Sequence, residues 1–209
     1  AYHGRPVTKD EIIAALWSKD DVTRAESGLK FNLLWARRAL SQDSIVYEGG
    51  KYRLDPQSDF EFDVTWFGDL LRAADRLSED AALKPRYIEQ AVNLFSGDLL
   101  PEFYAELCEV ERAKLSRWFM DSASVLAHHH EALATHDRVA SISDKILSVG
   151  PYNEDALGMA LSAHAETGNI GEAEHRYRTH RDLIQTELGE PPSPQDGEAI
   201  PIAVVSAVV

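Results

Sequence analysis

The side chains with the most to offer chemically are the basic ones between Ala25 and Leu54. Lys30, Arg37, Arg38, Lys51 and Arg53 stand there against Glu26, Asp43 and Glu48, with Arg24 just before them. Guanidinium and ammonium groups of this kind donate charged hydrogen bonds to DNA phosphates and, for arginine, to base edges. The plain alternative is a solvated helix flank. Arg53 can equally pair with Glu48 or Asp55. The other reactive residue types offer less. Cys108 is the sole cysteine, so an intramolecular disulfide and a multi-cysteine zinc site are excluded, and within ELCEVERAKL it reads as a packing residue. His128-His129-His130 invites a metal reading. Successive helical side chains point about 100° apart, however, so three in a row cannot converge on one ion. One of them with His136 or Glu131 is the minor alternative, and surface histidines are the default. There is no glycine-rich phosphate loop, no nucleophile elbow and no histidine pair at i, i+4. Neighbouring acids such as Glu79 with Asp80, or Glu109 with Glu111, read as solvated faces. The chain is therefore read as a non-enzyme with no cofactor and no metal.

Charge distribution sharpens the DNA reading. The whole chain of 209 residues carries a formal net charge of −14. Residues 1–55 hold nine Lys/Arg and eight Asp/Glu, whereas residues 56–209 hold twelve and twenty-seven. The acidic part repels phosphate, so any DNA contact is confined to the N-terminal quarter. Hydrophobic content of 44% and charged content of 27% suit a globular chain of one large or two small domains. No run approaches the ~18 apolar residues of a membrane helix. The N-terminal AYHGRPVTKDE lacks the apolar centre of a signal peptide. Together with the lone cysteine, these features point to the cytoplasm.

The elements that must position the basic residues are legible. Thr8 with Glu11 makes a capping box before Ile12, Ile13, Leu16 and Trp17, predicting a short helix over Lys9–Trp17. Ser18–Asp21 is a polar turn. A second helix follows over Thr23–Leu40, with an apolar stripe at Leu29, Leu33, Ala36 and Leu40 and a first turn weakened by Gly28. Ile45–Tyr47 and Lys51–Leu54 flank Glu48-Gly49-Gly50, a hairpin signal. Two helices and a hairpin in this order have the shape of a winged helix, whose second helix enters the DNA major groove. Opposite the apolar stripe stand Arg24, Ser27, Phe31, Leu34, Trp35 and Arg38. Phe31, Leu34 and Trp35 are apolar on a wet face, which suggests a protein contact surface.

Pro56–Asp59 reads as a linker. Beyond it the pattern is helical: Phe62–Leu77, Ala81–Phe95, Glu102–Ala134, Arg138–Val149, a helix capped near Asn153 and ending at Thr167, and Gly171–Leu188 before Gly189, Pro191 and Pro192. Val110 falls in the apolar pattern of the long helix, and Trp66, Trp118, Tyr87 and Tyr177 are expected in the core. Ala140 and Ala173, 33 residues apart, each sit just inside the second helix of a pair. Gly168, Ala173 and Tyr177 have the small, small, aromatic character of a tetratricopeptide hairpin, and Ala91 with Phe95 repeats part of it. The expectation is a stack of about three helical hairpins. The apolar, uncharged tail Ala199–Val209 reads as a strand packed on the chain or the start of a further segment.

FSGDLLPEFYAELCEVERAKL at Phe95–Leu115, PYNEDALGMALSAHAETGNIGEAEHRY at Pro151–Tyr177 and LIQTELGEPPSP at Leu183–Pro194 resemble the bacterial transcriptional activator domain of antibiotic regulatory activators. RPVTKDEIIAALW, LKFNLLWARRAL and GGKYRL stand where that family carries a winged helix of the response-regulator class. The resemblance implies a mainly α fold: a partial winged helix-turn-helix with a small β-hairpin over 1–56, then an all-α tetratricopeptide-like hairpin stack over 57–192, then the tail 193–209. The family's front strands and first helix have no counterpart here, and Ala1–Gly4 reads as the end of that helix. The implied function is transcriptional regulation. Arg24, Lys30, Arg37, Arg38, Lys51 and Arg53 would contact double-stranded DNA if the winged helix is complete. The acidic helical part would contact RNA polymerase, a sensory domain or a second copy of the chain. The alternative is a protein-interaction or ligand-sensing module in which the winged helix is vestigial and the helical stack binds the partner or ligand.

Overall fold

The computed structural model describes residues 5–17, 22–55, 57, 62–78, 81–104 and 106–188. The expected turn Ser18–Asp21, the linker apart from Gln57, Ala1–Gly4, the stop signals from Gly189 onward and the apolar tail lie outside these residues. The chain divides into two compact units, Ala1–Trp66 with Asp98–Lys114, and Phe67–Gly97 with Leu115–Val209.

The first unit begins with strand β1 (Val7–Thr8), helix α1 (Lys9–Leu16) and helix α2 (Val22–Ala39). Strands β2 (Ile45–Glu48) and β3 (Lys51–Leu54) follow. Thr8 ends β1 and caps α1. Its hydroxyl accepts from the Glu11 amide, and the Glu11 carboxylate accepts from the Thr8 amide at 2.7 Å. This is the expected capping box, and it satisfies donors that a helix start leaves open. Gly49 and Gly50 adopt φ of +59° and +78°, the pair that a type I′ hairpin turn requires. The hairpin is extended into a three-stranded antiparallel sheet of order β1-β3-β2, with Val7 opposite Tyr52 and Thr8 opposite Lys51. A two-residue strand is too short to show periodicity, so sequence alone does not reveal β1.

Also in this unit, the Arg112 guanidinium donates to the carbonyls of Leu99, Leu100 and Phe103. Leu100 has φ of +47°, a conformation costly for a branched side chain, and Arg112 holds the loop around it.

The second unit is helical. Helix α3 (Asp63–Asp75) and helix α5 (Glu106–Ala132) each begin before it and continue into it. With them are α4 (Lys84–Leu94), α6 (His136–Val149), α7 (Glu154–Glu166) and α8 (Ile170–Leu188). Phe95 stacks on Phe119 with ring centroids 4.3 Å apart, and Phe67 completes the aromatic group at 6.2 Å from Phe95. Lys145 lies over the Phe119 ring and donates to the Val92 carbonyl in the last turn of α4. Burial there pulls its pKa below the usual lysine value.

The reversals between paired helices follow one rule. Gly168 has φ of +78° and Asn169 N–H donates to the His164 carbonyl at 2.8 Å. Ala134 has φ of +52° and Thr135 N–H donates to the His130 carbonyl at 3.0 Å. These six-to-one bonds close the helix ends in the Schellman manner. Thr135 and Asn169 are 34 positions apart, which sets the repeat at 34 rather than 33. Val139, not Ala140, is therefore the counterpart of Ala173, since each donates its amide to the residue that opens its helix. Tyr177 packs with Leu147 and Ala165 on the cluster of Leu157, Leu161 and Ala173, as expected for the aromatic of the repeat.

Some expected core positions are not in the core. Trp66 is 49% exposed and Val110 59% exposed, and Leu40 lies largely open at the end of α2. Each has apolar spacing, but none of them is enclosed: spacing defines a face and not its cover.

Phe119→Ala removes a fully buried ring and is expected to cost about 3–5 kcal/mol in urea unfolding. Gly168→Ala forces a Cβ onto a left-handed residue and is expected to cost about 1 kcal/mol by the same measurement.

Candidate nucleic-acid interface

Helix α2 is held against its surroundings from three directions. Ala25 and Leu29 are buried on its inner side. Trp17, at the end of α1, lies against Gly28 so closely that a Cβ there would stand 3.2 Å from its ring. The glycine that weakens the helix in sequence is thus what admits the indole, and α2 is continuous through it. The Lys9 ammonium donates to the Glu26 carboxylate at 2.6 Å, fastening α1 to α2. At the other end, Arg37 donates from Nε and Nη2 to the Ile45 carbonyl at 3.3 and 2.9 Å, joining α2 to the hairpin. Buried Ser44 turns the chain between them, bonding the Ser41 hydroxyl and accepting from the Asp55 amide.

These ties leave the opposite face of α2 open. Arg24, Ser27, Phe31, Leu34, Trp35 and Arg38 are all exposed, as their positions on the helix predict. Phe31, Leu34 and Trp35 are 60%, 49% and 52% exposed. Phe31 meets Trp35 edge to face at 5.9 Å, and the Arg38 guanidinium lies over the Trp35 ring at 5.4 Å. Stacking of this kind keeps a guanidinium oriented and its edge donors available. Lys30 is exposed on the same helix, and Lys51 is exposed on the hairpin opposite Glu48. Arg53 is half-buried and lies 3.8 Å from Glu48, one of the two pairings expected for it. Tyr52 is half-buried and tilts against Tyr47 at 4.6 Å. The six basic residues thus divide. Arg24, Lys30, Arg38 and Lys51 face outward, Arg37 serves the hairpin, and Arg53 turns toward an acid.

The helical unit contains two further features. Between α3, α4 and α5 lies a groove of about 460 Å³ whose lining includes Ile88, Trp118, Val125, Arg72, Lys84 and Asp121. Between α6, α7 and α8 lies a charged group: Asp144, His164, Glu172 and Arg176. Sequence reading singled out neither. The spacing of Glu172 and Arg176, four residues apart on α8, is the one local signal for the second, and Asp144 and His164 join only when the helices fold back. The histidines of α5 take separate partners, although His129 and His130 meet edge to face. His128 lies 3.3 Å from Glu131 and 3.3 Å from Asp155, while His130 bonds Thr135. Burial lowers the His130 pKa, with His129 beside it adding to the effect.

A helix and hairpin of the winged type, followed in the chain by a repeat of 34-residue helical hairpins, define a mainly α protein of the winged-helix and tetratricopeptide-like class. The chain belongs to the bacterial transcriptional activator domain family, which it matches over residues 62–196. It is similar to regulatory protein AfsR of Streptomyces griseus, with 24% identity over 197 residues covering 93% of this chain and 20% of the relative. Its likeness to regulatory protein AfsR of Streptomyces coelicolor is comparable, with 23% identity covering 91% and 19%. The chain thus spans about a fifth of the length of these relatives. In fold it is similar to Mycobacterium tuberculosis EmbR, solved in complex with a low affinity phosphopeptide. The TM-score is 0.62 at 19% identity, over 94% of this chain and 54% of that one. Among the described residues no helix is long and apolar enough to cross a membrane.

The Lys9–Glu26 pair predicts a pH signature for the first unit. Its hydrogen bond raises the Lys9 pKa above 10.5 and lowers that of Glu26 below 4.5. The lowered carboxylate contributes stability above about pH 4.5 that fades as pH falls through its folded value. The raised ammonium contributes stability below about pH 10.5 that fades as pH rises through its folded value. Both groups are solvated, so the effect is small. Glu26→Gln is expected to make the acid limb of the stability profile shallower in a pH series of thermal melts, the Glu11 carboxylate, lowered by its bonds to Thr8, supplying another part of that limb.

Proposed function

We propose that this chain is part of a bacterial transcriptional regulator. In this reading α2 and its hairpin contact duplex DNA, and the acidic helical unit receives or transmits a signal through protein contacts. The observation that carries the reading is the Arg37–Ile45 tie. It holds a helix bearing outward Lys30 and Arg38 beside a hairpin bearing outward Lys51, so that groove and backbone contacts come from one rigid piece. Family membership and the two regulatory relatives support it. The contacts are mainly to phosphate, because apolar Phe31 and Leu34 occupy positions from which polar side chains would read bases. The acidic remainder of the chain confines DNA to this unit. No chemistry is involved: the regulator acts by recruitment or by relay of a conformational change.

A second reading is favoured by the exposure of Phe31, Leu34 and Trp35 together. In it α2 meets a protein rather than DNA, and the winged helix has lost its original partner. Exposed apolar residues grouped on one helix face mark such surfaces.

Titration with duplex DNA between about 50 and about 200 mM salt separates the two. Phosphate contacts from Lys30, Arg38 and Lys51 predict a log–log slope near −3, with Arg38→Ala reducing it by about one. A flat slope, with Arg38→Ala binding as well as the wild type, would overturn the DNA reading. Concentration-dependent self-association abolished by Trp35→Ala would then support the second.

A further inference from the structure

Helices α6, α7 and α8 bring together a group of side chains that the DNA reading does not use. One ligand atom each of Asp144, His164 and Glu172 lies within 4.8 Å of the other two. The His164 side chain is only 10% exposed, and both of its ring nitrogens are buried without a hydrogen bond. Nε2 stands 3.4 Å from Asp144 Oδ2, close enough to interact but out of hydrogen-bonding line. Asp144 Oδ1 is also buried and unbonded. Arg176 supplies the local positive charge, with Nη2 3.0 Å from Asp144 Oδ2 and Nε 3.0 Å from Glu172 Oε1. Its guanidinium neutralises the two carboxylates but does nothing for the imidazole. A buried imidazole with neither nitrogen bonded is costly, and such groups have a reason to be where they are.

We infer that Asp144, His164 and Glu172 form a site for a divalent transition cation of the zinc class, with Arg176 as the internal cation that it displaces. One imidazole nitrogen and two carboxylate oxygens suit zinc, cobalt or nickel. Magnesium and calcium take oxygen ligands, so the histidine selects against them. Three protein ligands leave a coordination position for water. Bonds of about 2.0–2.2 Å require the ligand atoms to draw closer than they stand. Glu172 is 42% exposed and free to move inward, and Arg176, 35% exposed, has a path to solvent. Because each ligand comes from a different helix, the cation clamps the last three helices of the repeat together and stabilises the folded state by linkage.

The test uses the full 209-residue chain, with Co²⁺ followed by its visible absorption and Zn²⁺ measured by competition against a chromophoric chelator. The expected result is one bound ion per chain, a rise in Tm with Zn²⁺ and none with Mg²⁺. His164→Gln and Asp144→Asn are expected to weaken Zn²⁺ binding by about 100-fold or more. Arg176→Met removes the competing charge and is expected to tighten binding about tenfold. Changing His128, His129 and His130 together to Gln is expected to leave it unchanged. Loss of binding in that triple variant, or full binding by His164→Gln, would overturn the inference. If His164→Gln does not fold, Arg176→Met decides: binding no tighter than wild type overturns the site.

Discussion

At the reversals from α5 to α6 and from α7 to α8 a residue with positive φ lets an amide reach back to the carbonyl five residues earlier. Gly168 does this without a steric penalty, and Ala134 does it at some cost. The bond closes one helix and aims the next back along it. Because the two reversals are 34 positions apart, equivalent residues of successive hairpins meet equivalent neighbours. Val139 and Ala173 are both buried for this reason, and Tyr177 finds a place on the cluster that Ala173 shares with Leu157 and Leu161. The Gly168 reversal, together with the turn at Gly150–Asn153 between α6 and α7, carries Asp144, His164 and Glu172, scattered over 29 positions of chain, into one small volume.

The first unit depends on a different device. Its helices are short of buried surface, and α1 buries no residue fully. Discrete polar ties therefore matter more: the Thr8 and Glu11 cap, the Lys9–Glu26 pair and the Arg37 bond to Ile45. Each joins two elements at a named atom and so fixes their mutual placement. The arrangement leaves one face of α2 uncommitted. On that face guanidinium and indole groups are interleaved, a mixture suited to either phosphate or protein.

Much of the fold is legible along the chain because its signals are local. A capping box spans four residues, a glycine pair marks a turn, and apolar residues at helical spacing mark a face. Thus α1, α2, the hairpin and the helices of the second unit stand close to their expected bounds. Where the reading departs from the structure, the missing information is non-local. Strand β1 exists because β3 pairs with it. Trp66, Val110 and Leu40 have the right spacing but are only about half covered. Arg37 has the residue type of a phosphate contact, but a carbonyl eight residues away takes its donors.

The sequence by itself determined that this chain is mainly helical, that its acidic excess lies beyond the N-terminal quarter, and which face of α2 is open. All three follow from residue type and the 3.6-residue period. Only the tertiary structure decided the 34-residue register of the repeat, the turning of Arg37 to the Ile45 carbonyl and of Arg53 toward Glu48, and the meeting of Asp144, His164, Glu172 and Arg176. Those depend on which backbone carbonyls and side chains come within about 3 Å of one another when distant segments pack. Such distances are set by the reversals and ties and are not written in the spacing of any one segment.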